Sequence, residues 1–410
     1  NSYPDWRNLQ VYFSPATVPS EGEHKILDFI RLLPEKERKF RSHCLFGPDG
    51  DLIMLTLATH IPRMYLFRED QYHPDYYHYL DMGHIRQRLS TNHTKRTQED
   101  VVNDFIVEGF FVGNDFLPKI QMFYLLEDGL NTMIDVYRQS SKICPLTMKG
   151  HLSLKGFQEF VKILSTFEKD YLEDQASIPV KTPIFINHTL LKHVTDSFCS
   201  KRKKVVKSLD FEGYRQSYYR KTIGDWSEVD IHRVCHDYLK SFIWVLEYYV
   251  HGLPSWSWAY RWHYAPLMAD FHQYLQGLSH AEFKKISTFD MGTASLPFIQ
   301  LLSVLPPTSA DLLPPPYRQL MNRYSEDFVI DYEGKVKEYQ GVALLPFIDN
   351  AEIKRHYSSI VPPRRYARNT RGRVSLFSYD PDFQAQFISD MGNIKNLHIR
   401  KTALPPHRDS

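Results

Sequence analysis

The hydrophobic pattern changes character partway along the chain. In the first part, short apolar runs alternate with helical periodicity. "LQVYF" (9–13) reads as a strand, and "EGEHKILDFIRLL" (21–33) as a helix with Ile26, Phe29, Ile30 and Leu33 at helical spacing. "HCLFG" (43–47) is a second strand, "DLIMLTLATH" (51–60) a helix and "MYLF" (64–67) a third strand. Short apolar strands separated by helices imply βαβ units and a parallel sheet. The helix "EDVVNDFIVEGFF" (99–111) then leads to Gly113 and "NDF" (114–116).

From residue 118 the pattern is mainly helical, through "PKIQMFYLLEDGLNTMIDVYRQ" (118–139), "LSLKGFQEFVKILSTFEKDYL" (152–172) and "VDIHRVCHDYLKSFIWVLEYYV" (229–250). The last of these stops at Gly252, a C′ residue. The polar stretch 173–228, with the run "SKRKKVVK" (200–207), reads as an excursion or linker. The final third is punctuated by proline, as in "VLPPTSADLLPPPYRQL" (304–320). Strands are expected there near "DFVIDY" (327–332) and "YQGVALLPF" (339–347). The predicted organisation is an α/β core over 1–140, a helical connector with a basic loop over 141–228, and a second region over 229–410, helical and then mixed α/β. No internal repeat or low-complexity tract is present.

Composition sharpens this picture. The chain has 410 residues, 42% hydrophobic and 14% aromatic, which indicates a packed body with many rings for core or stacking surface. The net charge of +2 points to no polyanion partner in bulk, so a nucleic-acid site would have to be a local basic patch. The sequence opens on Asn1 with no secretory signal, as a processed chain or a fragment would. "FIWVLEYYV" (242–250) is too short to span a bilayer and contains Glu247. Cys44, Cys144, Cys199 and Cys235 form no C-x-x-C pair, which argues against a thiolate zinc knuckle or disulfide scaffold and fits a reducing compartment. "HRVCH" (232–236) puts His232 and His236 at i, i+4 beside Cys235, but no fourth ligand follows at a zinc-like spacing, and helical surface histidines are common.

Candidate chemistry lies at the strand ends. In "PSEGEHKI" (19–26), Ser20 followed three residues later by Glu23 predicts a capping box that starts the helix. The same stretch sets Glu21 and Glu23 just after the first strand. "GPDGD" (47–51) sets Asp49 and Asp51 at the next strand-to-helix turn, where an aspartate N-cap is ordinary. In an open parallel sheet, the carboxyl ends of adjacent strands form one crevice. Asp115 follows the glycine of "FFVGNDFLP" (110–118). Carboxylates gathered there would repel one another, and divalent Mg²⁺ or Mn²⁺ would relieve that with hard oxygen ligands. Two such ions roughly 4 Å apart serve phosphodiester hydrolysis, one activating water and the other stabilising the leaving oxygen. The spacing therefore predicts a metal-dependent nuclease.

These stretches resemble a known family, the Xrn 5′→3′ exoribonucleases. "VPSEGEHKI" (18–26) is similar to the family's V-P-G-E-G-E-H-K-I, with Ser20 in place of glycine. "GPDGDLIMLTLATH" (47–60) resembles D-A-D-L-I-M-L-x-L-A-T-H, with Gly50 in place of alanine, and "FFVGNDFLP" (110–118) matches without change. "SWSWAYRWHYAP" (255–266) resembles S-W-x-W-Y-Y-P-Y-H-Y-A-P, departing at Ala259, Arg261 and Trp262. "LLSVLPPTSADLLPPPYRQLM" (301–321), "YQGVALLPFID" (339–349) and "RNTRG" (368–372) complete the correspondence in the family's order.

The resemblance implies a PIN/flap-nuclease-like α/β core with a mostly helical second region packed on it. It implies that Glu21, Glu23, Asp49, Asp51 and Asp115 are metal ligands for Mg²⁺ or Mn²⁺. The implied reaction is processive removal of 5′-mononucleotides from RNA bearing a 5′-monophosphate. Trp256, Trp258, Tyr260 and His263 fall where the family lines the active-site end and stacks a tryptophan on a base; core packing is the competing role for these rings. "PPRRYARNTRGR" (362–373), with Arg368, offers phosphate contacts or ion pairs with the acidic edge, and "SKRKKVVK" offers RNA contact, a nuclear address or only a solvated loop.

The family's nuclease region begins upstream of the segment that corresponds to Asn1. That upstream part carries further metal-binding aspartates, a basic pocket for the 5′-phosphate and a histidine that stacks on the leading base. Three expectations follow: an exoribonuclease, cytoplasmic with the nucleus as alternative, completed by an upstream segment or a second polypeptide; a non-catalytic RNA-binding scaffold; or a structure-specific endonuclease. The last lacks its G-x-G helical hairpin here, and retention of five carboxylates argues against the second.

Overall fold

Two of the strands read from apolar runs pair as expected. His43–Phe46 lies parallel to Met64–Glu69, in register from His43↔Met64 to Phe46↔Phe67, and the helix Asp51–Ala58 makes the crossover. Leu45, Met64 and Leu66 are buried from the strands, and Leu52, Leu55 and Leu57 from the helix. In the computed structural model, the described residues are 9–73, 75–91, 96–122, 129–142, 144–179, 182–199, 204–321, 328–335, 338–360, 371–379, 387–389, 392–394 and 397–401. The chain divides into two compact units that interleave in sequence. One comprises Asn1–Arg38, Ala294–Asp327 and Ile348–Ser410; the other comprises Lys39–Thr293 and Phe328–Phe347.

In the larger unit, Tyr77–Asp81 adds a third strand, antiparallel to Met64–Glu69. Sequence reading missed it because Tyr77, His78 and Tyr79 are all exposed, so the strand has no apolar alternation to detect. The helical layer is organised by Glu228–Val250, whose apolar residues run almost all round and are buried accordingly. Phe242 at its middle packs against Phe111, Phe157 and Phe110 with ring centroids at 4.6, 5.1 and 5.7 Å. Burial of each such ring contributes roughly 1.5–3 kcal/mol. Gly252 follows the helix as expected, its N–H reaching Glu247 O at 3.0 Å.

Three sequence expectations are corrected in this unit. The helix expected over 118–139 spans only Gly129–Ser140 among the described residues; 118–122 is non-helical, and the Ile120 N–H is bonded back to Phe111 O at 3.1 Å. The run 152–172 is broken at Phe167 into Leu154–Thr166 and Glu168–Gln175. Within 173–228, expected as an excursion or linker, the described residues form an antiparallel hairpin, Val194–Cys199 with Lys204–Leu209, followed by the helix Phe211–Thr222, an excursion rather than a linker. Of its basic run, Lys204–Lys207 lie in the second hairpin strand, and 200–203 lie outside the described residues. The late strands appear as Val329–Asp331 paired with Val342–Leu344.

In the smaller unit, Gln10–Phe13 pairs antiparallel with Ser375–Tyr379, which pairs in turn with Leu397–Lys401. The first strand was expected beside the parallel pair; its actual partner lies at the other end of the sequence, beyond any local pattern. Ile299, Leu302, Leu313, Tyr317, Met321 and Ile353 form a core of this unit.

Candidate functional site

In the smaller unit, strand pairing delivers the chain to a loop that the backbone itself pins. The Val18 N–H is bonded to Pro15 O at 2.9 Å, Lys25 Nζ donates to the same carbonyl at 3.2 Å, and the Gly372 N–H reaches Thr17 O at 2.7 Å. A Cβ on Gly372 would stand 2.1 Å from Thr17 Oγ1, so this approach requires glycine. The helix then runs from Gly22 to Leu32 and buries His24, Leu27 and Ile30, whereas Ile26 is exposed.

The expected capping box does not form. Ser20 has φ +87°, in the left-handed region, and Glu21 occupies the N-cap without a side-chain capping bond. An N-cap residue needs extended backbone, which Ser20 has abandoned. Glu21 is thereby exposed at the helix N-terminus, with the His24 ring 3.8 Å from its carboxylate, and Glu23 sits half-buried in the first turn. Burial, and then the Arg31 charge, push His24 down to about 3, so the ring is neutral at pH 7.

In the larger unit, the turn 47–50 is held from the sheet side. The Gly47 N–H continues the ladder to Phe67 O at 3.1 Å, and the Arg68 guanidinium donates to Pro48 O. Asp49 is exposed on this turn, and Asp51 begins the next helix, half-buried. The loop after Gln98–Phe110 is built by Asn114, whose Oδ1 accepts the N–H groups of Phe116 and Leu117, both at 2.9 Å. Phe116 packs on Trp244 and Tyr248, and Leu117 is buried. Asp115 is therefore left exposed between anchored neighbours. Among the described residues, Asp49 and Asp115 make no hydrogen bond or ion pair. Glu21 and Glu23 belong to the smaller unit, and Asp49, Asp51 and Asp115 to the larger. Asp49 and Asp51 share one turn, but they do not gather with Asp115 into a cluster with ligand atoms within 4.8 Å. The donors are exposed or half-exposed carboxylate oxygens on fixed turns, a set whose chemistry suits a hard divalent cation.

The aromatic segment is organised by Ser255, whose Oγ accepts from the N–H groups of Ser257 and Trp258, both at 3.2 Å, and donates to Asp290 O at 2.6 Å. Most of its rings serve the protein itself. Trp258 Nε1 donates to Ser241 Oγ at 2.9 Å, Trp262 Nε1 to Asp237 at 2.9 Å and Tyr260 OH to Tyr264 O at 2.8 Å. His263 is bonded to Leu345 O at 2.8 Å and packs on Phe347. Trp256 differs: its backbone N–H is bonded to Met291 O at 2.7 Å, while its half-buried indole makes no hydrogen bond among the described residues. Sequence reading missed Lys240, whose Nζ lies 5.0 Å from the Trp258 ring and 5.1 Å from Phe289. Arg368 lies outside the described residues.

Two family descriptions match the chain. The family description "Xrn1 helical domain" matches residues 95–189 and 188–395, and "XRN 5'-3' exonuclease N-terminus" matches residues 1–70. The chain is 29% identical to human "5'-3' exoribonuclease 1" over 85% of its own length and 24% of that protein. It is 25% identical to Arabidopsis thaliana "5'-3' exoribonuclease 2", covering 86% and 48%, and 27% identical to the Yarrowia lipolytica "5'-3' exoribonuclease 2", covering 92% and 51%. The chain thus spans from about a quarter to about half of the length of these relatives.

Proposed function

Because the chain belongs to the Xrn family, whose helical-domain description matches most of it, we propose that it acts as a 5′→3′ exoribonuclease in RNA decay. The substrate is RNA with a 5′-monophosphate, released as 5′-mononucleotides, and the reaction takes place in the cytoplasm. The observation that carries this reading is the pair of exposed, unpartnered carboxylates, Asp49 and Asp115, each fixed on a turn that the backbone and its neighbours hold. Asp51, and in the smaller unit Glu21 and Glu23, are further carboxylate ligands for Mg²⁺ or Mn²⁺. When bound, the ions supply water activation and charge neutralisation at the phosphodiester. Trp256 provides the stacking face, Trp258, Tyr260 and His263 hold its segment in shape, and Arg368 contacts phosphate.

The larger unit also supports completion by a further segment, upstream in the polypeptide or on a second one. Among the described residues His43–Phe46 is paired on one side only, and the sheet carries exposed Phe46, Tyr77 and Tyr79. Phe67 stacks on Tyr77 at 4.9 Å and Tyr65 on Tyr79 at 5.0 Å, an aromatic surface that a covering segment would bury. The test is Mn²⁺-dependent nucleotide release from 5′-monophosphorylated RNA, by the chain alone and with the corresponding upstream part of the Arabidopsis relative supplied in trans. Release that Asp49→Ala and Asp115→Ala abolish is expected. RNA binding with no release in either arrangement would replace the enzyme with a scaffold.

A further inference from the structure

The long helix Glu228–Val250 ends beside a two-residue hairpin, and three metal-binding side chains meet there. The hairpin pairs Thr147–Met148 with His151–Leu152. Its turn residues Lys149 and Gly150 have φ +53° and +80°, the signature of a type I′ turn. Two aspartates of the helix Gln98–Phe110 hold it down. Asp104 accepts the Thr147 N–H at 2.8 Å, and Asp100 accepts the Lys149 N–H at 3.2 Å. A Cβ on Gly150 would stand 2.9 Å from His251 Nε2 and 2.9 Å from Val250 Cγ1, so glycine lets the hairpin close on the helix end.

This approach sets His151 Nδ1 2.6 Å from Glu247 Oε1 and stacks the His151 and His251 rings at 4.4 Å. Glu247 and His251 are spaced i, i+4 and share a helix face. One ligand atom from each of the three residues lies within 4.8 Å of the others. Ligand atoms bound tetrahedrally at about 2.1 Å stand about 3.4 Å apart, within the present spread of these atoms.

We propose that His151, Glu247 and His251 form a binding site for a borderline transition-metal ion of the Zn²⁺ class, independent of the exonuclease reading. Two imidazoles and one carboxylate are a zinc donor set, with a fourth position left to water. Mg²⁺ and Mn²⁺, which favour oxygen, are disfavoured here. The helix adds to the attraction, because the negative end of its macrodipole faces the cation. The bound ion clamps the hairpin to the helix end. Its formation replaces the hydrogen bond between His151 Nδ1 and Glu247 Oε1, any proton on the coordinating nitrogen passing to the other ring nitrogen or to water, and no redox step is involved.

The experiment titrates the full chain with ZnCl₂ by calorimetry, and with CoCl₂ by visible absorption, in excess Mg²⁺. One ion per chain and tetrahedral Co²⁺ bands are expected. His151→Ala with His251→Ala should weaken binding by at least roughly 100-fold, and Glu247→Gln by about 10-fold. Gly150→Ala, which keeps every ligand but pushes the hairpin off the helix, should weaken it as well. Asp49→Ala should leave Zn²⁺ affinity unchanged, which separates this site from the proposed nuclease ligands. Binding no tighter than millimolar in the wild-type chain, or unchanged binding in the folded double-histidine variant, would overturn the proposal.

Discussion

Asp104 tests how firmly the hairpin is fixed to the α/β part of the larger unit. It is fully buried in the helix Gln98–Phe110 and accepts four bonds. These come from Thr147 N at 2.8 Å, Thr147 Oγ1 at 2.6 Å, Tyr137 OH at 2.9 Å and the Arg96 guanidinium. Asp104→Ala removes every acceptor at once. Two buried neutral donors and the main-chain amide are left at about 1–3 kcal/mol each if none relaxes, and the mostly buried Arg96 loses its counter-charge. Relaxation toward water lowers the sum, and buried pairs broken from one side cost about 3–5 kcal/mol. The expected loss is therefore about 4 kcal/mol, read as a fall in the urea midpoint by near-UV circular dichroism. Hydrogen exchange at the Thr147 amide should accelerate together with it. Thr147→Val removes one of the four bonds, and its cost should be non-additive with Asp104→Ala by at least about 1 kcal/mol. A single-variant loss below about 1 kcal/mol, or strict additivity, would refute the network and with it the fixed position of His151.

Three further outcomes follow from particular residues. Ser20→Gly relieves left-handed strain of about 1–2 kcal/mol but gives back about 0.5–1 kcal/mol of unfolded-chain entropy, so a net gain of roughly 0.5–1 kcal/mol should appear in the urea midpoint. Burial raises Glu168 to about 7, although the N–H groups of Met268 and Ala269 oppose this; its raised pKa means stability is fully present below about 4.5 and lost as pH rises through about 7. Over that window wild type should lose about 3 kcal/mol relative to Glu168→Gln, measured by urea unfolding at several pH values. Trp256→Ala should weaken single-stranded RNA binding by about 1–3 kcal/mol in fluorescence anisotropy with little change in melting, whereas Trp258→Ala should lower the melting temperature through the lost Ser241 bond and Lys240 contact.

Local pattern carried most of the elements and few of their partners. Periodicity placed Glu228–Val250 to within a residue, and the apolar runs gave both parallel strands. The pairing of Gln10–Phe13 with Ser375–Tyr379 was illegible, because β-partners share no local signal. For the proposed site, the turns that carry Asp49, Asp51 and Asp115 were legible from glycine, proline and asparagine chemistry. The backbone at Ser20 was not, since a capping-box sequence and a left-handed serine look the same on paper. "HRVCH" serves packing, as expected of an ordinary helix segment: His232 packs edge-on to Tyr274 and Cys235 is buried. Four turns later, Glu247 and His251 meet a histidine 96 residues away from Glu247, a proximity that spacing alone could not supply.

The larger unit also shows why perturbed acidity is a poor guide to function in this chain. Glu108, Glu168 and Asp270 are all raised, chiefly by burial. A search for shifted carboxylates would choose them as catalytic. The contacts of Glu168 and Asp270 assign them elsewhere. Glu168 accepts two amides at the start of Met268–Gln276, and Asp270 ties Arg215 to Tyr219 at 2.8 Å each. Arg215 in turn bonds Glu228 at the start of the long helix, so these groups join helices. A carboxylate that is to hold a divalent cation has the opposite need: it must be ionised and reachable before the ion arrives, and unbonded so that no partner must be given up. Asp49 and Asp115 are exposed and, among the described residues, unbonded, whereas Glu168 and Asp270 are buried and bonded.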